Sequence, residues 1–401
     1  MKVESGKWKA RNWAPGLLAV LALVLPVWPV AAEPASAPAA AISVRDMGAV
    51  GDGKADETAA FEKAIASSRK TGAQVFVPAG GYRLSRGLTL ETQVLTGPAV
   101  ATWGADEVSM PVIITSVKDA PTFRLAKGAG IHGLNIHYDW QGQQPSQRPP
   151  VIEIAGVGCR VSEITVRGAW DAIMADGKSN CGRTSIERCF VVDCHHVGVR
   201  MTGTWDVSWI SKVEVWSPAS KTFPESGIGF QFGKNDVLLV SDCLAFRAQV
   251  GYQLLDEIPG CEIKGGTWGS FSNCVTDFCS LGFDIKGDHT ISIVGGSHWT
   301  HWGGLVVGKG NAQVRVSGVE LGANGGPGLQ VDGGDLVTVS SCQIRRLQQG
   351  RDAPAVRITG GKSTVVTGCV IASSTKAVEV KDGLKDVVIA NNVVRENVKA
   401  E

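Results

Sequence analysis

Four ionisable residues stand at matching points of a repeated phrase. Asp193 and Asp277 each lie five residues before a glycine, Gly198 and Gly282, and Glu225 and Arg247 lie four before Gly229 and Gly251. Each glycine opens a short apolar-x-apolar segment. If successive phrases stack as coils at roughly 4.8 Å, Asp193 and Glu225 stand about 5 Å apart and Glu225 and Asp277 about 10 Å. Carboxyl pairs at ~5 Å suit retaining glycoside hydrolysis, and pairs at ~6.5–9.5 Å suit inversion. Arg247 would neutralise a uronate carboxylate or, strongly perturbed, take its α-proton, and His196 or His301 would serve as base. The alternative for each carboxylate is a solvated turn cap.

The same turns are rich in aromatic side chains. Nine of the twelve tryptophans follow residue 32, and five of those nine (Trp140, Trp170, Trp216, Trp299, Trp302) fall in these turns with His195, His196, His298 and His301. Tryptophan faces suit the C–H surfaces of sugar rings, while histidines and carboxylates reach hydroxyls, so an aromatic, ionisable edge on a rigid scaffold is a candidate binding site. The competing account packs the tryptophans beneath the loops 141–150 and 217–226. His298-x-x-His301 with Asp277 offers too few ligands for a metal site, and no metal or cofactor is expected. His289 lies in the opposite turn and is expected at the surface.

What must position these residues is a solenoid. The apolar-x-apolar phrase begins at Phe123 and recurs at Ile152, Ile173, Val199, Phe230, Tyr252, Phe283, Leu305, Leu329, Val356 and Val378, which is 255 residues in ten steps and a mean period of about 25. A period of that size marks stacked repeats, and the alternation within each phrase is that of a strand. The fold class is therefore all-β, a right-handed parallel β-helix in which each coil is a strand, a polar turn and a second strand. A single coil cannot bury its own apolar face; stacking does.

Residues 42–90 form the entry. ISVRDMGAVGDGKADETAAFEKAI begins as a strand, turns through Gly51-Asp52-Gly53 and enters a helix near Asp56, with Phe61, Ala64, Ile65 and Ser68 on one face. Laid over the first coil, this short helix caps an open sheet end. Followed by VFVPAGGYRLSRGLTL, the segment resembles the N-terminal signature of the pectate-lyase-like β-helix superfamily, which includes rhamnogalacturonase-like and polygalacturonase-related proteins and phage tailspike enzymes. The signature covers about fifty residues and the coil pattern most of the rest. Its Asp46, Asp52 and Asp56 build a turn and a cap. The Asn-Thr-Asp, Asp-Asp, Gly-His-Gly and Arg-Ile-Lys motifs of polygalacturonases and the Trp-Ile-Asp-His motif of pectate lyases do not occur, so the resemblance implies a fold and carries over no active-site residue.

Residues 1–32 read as a signal peptide: Lys2, Lys7, Lys9 and Arg11, an apolar run from Leu17 to Val30, then Ala31-Ala32. Residues 33–41 read as a linker and 42–401 as one β-helix domain. Removing 1–32 takes four basic residues and Glu4, changing 39 against 38 to 35 against 37, a net charge of −2. No basic field remains for nucleic acid, and no later stretch is apolar enough to span a membrane. Cys189, Cys243, Cys274, Cys342 and Cys369 fall at equivalent places in the second strand and read as a ladder of buried thiols; Cys159 with Cys181 is the better bridge candidate.

The expectation is a secreted or periplasmic monomer acting on a polysaccharide. Its catalytic candidates are Asp277, Glu225, Asp193, Arg247, His196 and His301. Its sugar-binding candidates are Trp140, Trp170, Trp216, Trp299, Trp302 and His298. Hydrolysis by a carboxylate pair is the favoured outcome; lyase or epimerase chemistry on a uronate polymer and a non-catalytic glycan-binding or structural β-helix are the alternatives.

Overall fold

The computed structural model describes residues 41–98, 110–218, 226–346 and 353–398. The expected signal segment, Glu225 and the C-terminal residues 399–401 lie outside them. The chain winds as a right-handed parallel β-helix with three strands per coil. Sheet 1 stacks 14 strands, from Ile42–Ser43 to Asp386–Ala390. Two further stacks, sheet 2 (for example Glu214–Trp216 on Leu244–Phe246) and sheet 3 (Ile228–Phe232 on Val250–Leu255), share a 24-strand set. They merge because Val275–Lys286 and Ser297–Val307 run through the corner between them without a break.

The sequence predicts two strands per coil; the structure has three, because one corner is too short to interrupt the alternation. From the strand Gly130–His132 to the strand Asp386–Ala390, each sheet 1 strand is separated from its sheet 2 strand by two residues. The first is left-handed at every coil: Gly133, Glu163, Arg188, Lys212, Asp242, Asn273, Gly295, Gly318, Ser341, Gly368 and Asn391 have φ between 49° and 67°. For residues other than glycine this costs about 1–2 kcal/mol each, least for Asn and Asp. At most coils the second residue turns inward: Leu134, Ile164, Cys189, Val213, Cys243, Cys274, Val319, Cys342 and Cys369 are all buried. The cysteine ladder is thus a corner ladder, filled by thiols or small aliphatics, and Asn392 ends it by accepting from Cys369 N at 2.8 Å.

All ten cysteines are free, including Cys159 and Cys181. Burial pushes the Cys189 and Cys274 thiols up to about 12. Cys189, Cys243 and Cys274 should therefore resist alkylation in the native protein and react on unfolding, as mass mapping would show. Cys274→Ala should cost about 1 kcal/mol, read from a denaturant midpoint.

Up to the last coil, the core is the inward row of the strands. Ile152, Ile154, Val199, Phe230, Phe232, Phe283, Leu329 and Val331 are fully buried, as the alternation predicts. Leu88–Leu90 adds one copy of the phrase before Phe123. Mid-rod, Phe230, Tyr252 and Phe283 stack face to face at 5.0 and 4.8 Å, with Phe271 edge-on to Phe283. The Tyr252 hydroxyl donates to Cys243 O at 2.7 Å. At the entry, the helix Thr58–Thr71 buries Phe61, Ala64, Ile65 and Ser68 over the first strands. Asp56 accepts from Thr58 N, while Glu57, at the cap position, accepts from Val50 N and Gly51 N. Asp52 accepts from Lys54 N and Ala55 N, so these carboxylates build the turn and the cap.

Candidate functional site

The candidate residues follow the corner where sheet 2 turns into sheet 3. The outward row of sheet 2 passes through His137, Arg167, Val192, Trp216, Phe246, Asp277, Trp299, Gly322 and Arg345. One residue further on, Asp193, Arg247 and Phe278 occupy a left-handed corner position, with φ 53°, 59° and 53°. Asp277 therefore stands one position short of Asp193 and Arg247, and Phe278 takes the corner place. Asp193 and Asp277 are three coils apart, about 14 Å at strand spacing, too far to act as one carboxylate pair.

Aromatic rings connect these coils. Phe190, Trp216, Phe246, Phe278 and His301 succeed one another at centroid distances of 5.2, 5.1, 5.9 and 6.0 Å. The Arg247 guanidinium lies over Phe246 at 4.8 Å, and that of Arg345 over Trp299 at 5.3 Å. Gly322, between Trp299 and Arg345 in the row, lets the guanidinium reach over the indole, and Trp299 remains 43% exposed. Trp302 is half-buried against the next turn; a Cβ at Gly326 would sit 1.9 Å from the Trp302 carbonyl oxygen, so that glycine-rich turn is shaped to fit it. Trp140 donates to Gly168 O at 2.7 Å and lies under the Arg148 guanidinium of its own loop. For Trp140 loop packing is the observed role.

Toward the N-terminal end the corner holds a pair that spacing alone does not show. His196 Nδ1 lies 2.8 Å from Asp171 Oδ1, and Val197 N donates to the same oxygen at 3.1 Å. The imidazole stacks on Trp170 at 5.7 Å and is 44% exposed, against 15% for the Asp171 carboxylate. The His196 backbone is fixed on both sides, donating to Trp170 O and accepting from Ile228 N. With Nδ1–H donating to Asp171, Nε2 is the accepting nitrogen. Neighbouring His195 is edge-on to Trp140 at 6.2 Å, and its pKa is lowered by desolvation against the opposing charge of Asp193.

Two histidines are placed otherwise than expected. His298 occupies the inward row with Thr276 and Leu321, is fully buried, and lies 5.0 Å from the Phe283 ring. It cannot touch sugar, because the strand Ser297–Val307 continues where a turn was expected. Burial lowers its pKa to about 3. His289 is also buried, accepting at Nδ1 from Thr267 N, with Nε2 2.9 Å from Lys286 O. No group of three or more His, Cys, Asp or Glu suited to a metal occurs among the described residues.

The middle residue of each apolar-x-apolar phrase forms another row, on the outside of sheet 3, that spacing left unread. Arg200 donates to Gln231 and Gln231 to Gln253, each at 2.7 Å, and Lys286 pairs with Asp284 at 2.8 Å. Earlier in the row Arg124 pairs with Glu153, whose pKa is raised by burial despite that arginine.

Comparison with known proteins matches this fold. Residues 41–102 match the family model described as rhamnogalacturonase A/epimerase, pectate lyase-like, and residues 255–394 the right handed beta helix region. The A-module of a mannuronan C-5 epimerase from Azotobacter vinelandii superposes with a TM-score of 0.62 at 17% identity, covering 90% of this chain and 95% of the module. The N-terminal fragment of bacteriophage phi29 gene product 12 gives 0.60 at 14%, covering 86% of this chain and 65% of the fragment. The pre-neck appendage protein of Bacillus phage B103 is 45% identical over 253 residues, 61% of this chain; the chain spans 27% of that protein. The chain is a right-handed parallel β-helix protein whose N-terminal segment matches a pectate lyase-like family model. Among its described residues no helix is long and apolar enough to cross a membrane.

Proposed function

We propose that the protein binds an extended, uronate-bearing polysaccharide along the corner between sheets 2 and 3 and transforms it by proton abstraction. The observation that carries this is the His196–Asp171 pair, a solvent-reaching imidazole oriented by a carboxylate at one end of a continuous aromatic edge. His196 Nε2 takes the proton α to the sugar carboxylate. The electron pair then either forms a C4–C5 double bond as the glycosidic oxygen leaves with the proton that His196 carries, or the carbon is reprotonated by water on the opposite face while His196 releases its proton to solvent. Arg247, about 10 Å further along by coil spacing, is placed for the carboxylate of a neighbouring sugar. The likeness in fold to a mannuronan C-5 epimerase supports this chemistry. Hydrolysis by a carboxylate pair would require Glu225 as partner to Asp193 or Asp277. The similarity to a phage appendage protein favours a second reading, a structural or glycan-binding β-helix without turnover.

A panel of acidic and neutral polysaccharides separates these. Elimination yields reducing ends with unsaturated-uronate absorbance, and hydrolysis yields reducing ends without it. Epimerisation changes only the polymer's proton NMR spectrum, and attachment gives binding alone. Trp299→Ala should weaken polymer binding about tenfold, as loss of one exposed aromatic anchor does, while sparing turnover at saturation. Unchanged affinity in that variant would remove the corner as the binding surface.

A further inference from the structure

Three tryptophans outside the corner are the unexplained feature of this surface. Trp205, Trp209 and Trp268 are 49%, 38% and 60% exposed and stand on or beside the outer face of sheet 1. Burying a tryptophan stabilises a fold, so leaving three uncovered on one face calls for a partner. The outward row here runs Arg160, Ser185, Trp209, Leu239, Ser270. A cleft lies at each flank of the Trp209 strand. One, about 360 Å³, is lined by Arg160, Ser162, Arg183, Ser185, Arg188 and Trp209 with Glu187. The other, about 340 Å³, is lined by Trp209, Leu239, Val240 and four serines with Glu187.

The charges in the first cleft differ in what holds them. Arg183 is paired with Asp206, and Arg188 with Glu163 and Glu187. These pairs brace the wall. The exposed Arg160 has no carboxylate partner among the described residues. Two strands, about 10 Å, separate it from Trp209 along the row, with Ser185 as a low floor between. An indole plate, hydroxyls, and one uncompensated guanidinium at that separation match a sugar ring stacked on Trp209 and a carboxylate held by Arg160.

We propose that the outer face of sheet 1 carries a second glycan site, centred on Trp209 and Arg160, that takes an acidic oligosaccharide. It lies on a different face from the corner and does not depend on the chemistry there. Resting on the corner reading above, the site would also hold the polymer to the rod while another stretch occupies the corner.

The test uses the full chain labelled with 5-fluorotryptophan, the Trp209 resonance being assigned through Trp209→Phe. Hexagalacturonate should shift the Trp209 signal and maltohexaose should not. Arg160→Gln, an exposed position whose replacement leaves the fold intact, should raise the midpoint of that shift at least about tenfold without moving the Trp299 response. An unmoved Trp209 signal at millimolar hexagalacturonate overturns the proposal. So does equal response to both oligosaccharides, an unaltered midpoint in Arg160→Gln, or a Trp209 shift with protein concentration alone, which would mark contact between copies. The Trp299 signal reports the corner separately, so failure of one site does not hide the other.

Discussion

His196→Gln should lower turnover on the polysaccharide that the panel identifies by about 10²–10⁴-fold, the usual contribution of a positioned general base. KM should change little, because Trp299 and Arg247 remain in place to hold the chain. Asp171→Asn should lower turnover less while leaving the imidazole stacked on Trp170, since the loss is of orientation rather than of the base. Single-turnover rates and substrate affinity measured side by side separate the two. Full activity in His196→Gln would assign the proton transfer elsewhere, with the Glu153–Arg124 pair on sheet 3 the next position to test.

Stability should fall steeply with acid for a reason unrelated to the site. His298 is neutral in the fold, its pKa lowered from 6.5 to about 3 by burial. Below the unfolded value the unfolded chain binds a proton that the folded chain does not, so stability declines as pH drops from about 6.5 toward 3 and is flat above. At pH 5 the loss is about 2 kcal/mol from this group alone. His289, shifted in the same direction by burial, adds to it. His298→Leu should remove most of that slope, as urea midpoints from pH 7.5 to pH 4.5 would show. An unchanged slope would mean that His298 is protonated in place.

Much of the rod was legible in the residues. The alternation fixed the inward row, and the entry motif fixed the helix that caps the first coil. Two features were not, and both concern corners. The bend between sheets 1 and 2 consumes two residues, one left-handed and one usually buried, so its cysteines read as part of a continuing strand. At Ser297–Val307 the opposite happened: a run rich in histidine and tryptophan reads as a turn, yet the strand passes through it and carries His298 inside. The aromatic corner itself followed from register. Asp171 was visible beside Trp170, but only the stacking of coils brings it to His196, 25 residues further on. Trp209 had a signal that went unused, since its alternation with buried Ser208 and Ile210 faces it outward.

From Gly130 onward the uniform two-residue bend acts as a gauge for the rod. Eleven successive coils pass through it unchanged, while the other two corners absorb segments as long as 141–150 and 256–266. Along those coils, variation in length is thereby channelled to two edges. A loop grafted at either would alter what that edge recognises and leave every other coil in step. One residue added at the gauge would turn the next strand inside out and bring its polar row into the core. New specificities on such a scaffold should therefore arise by exchange at two edges of a rod whose third edge is held to constant measure.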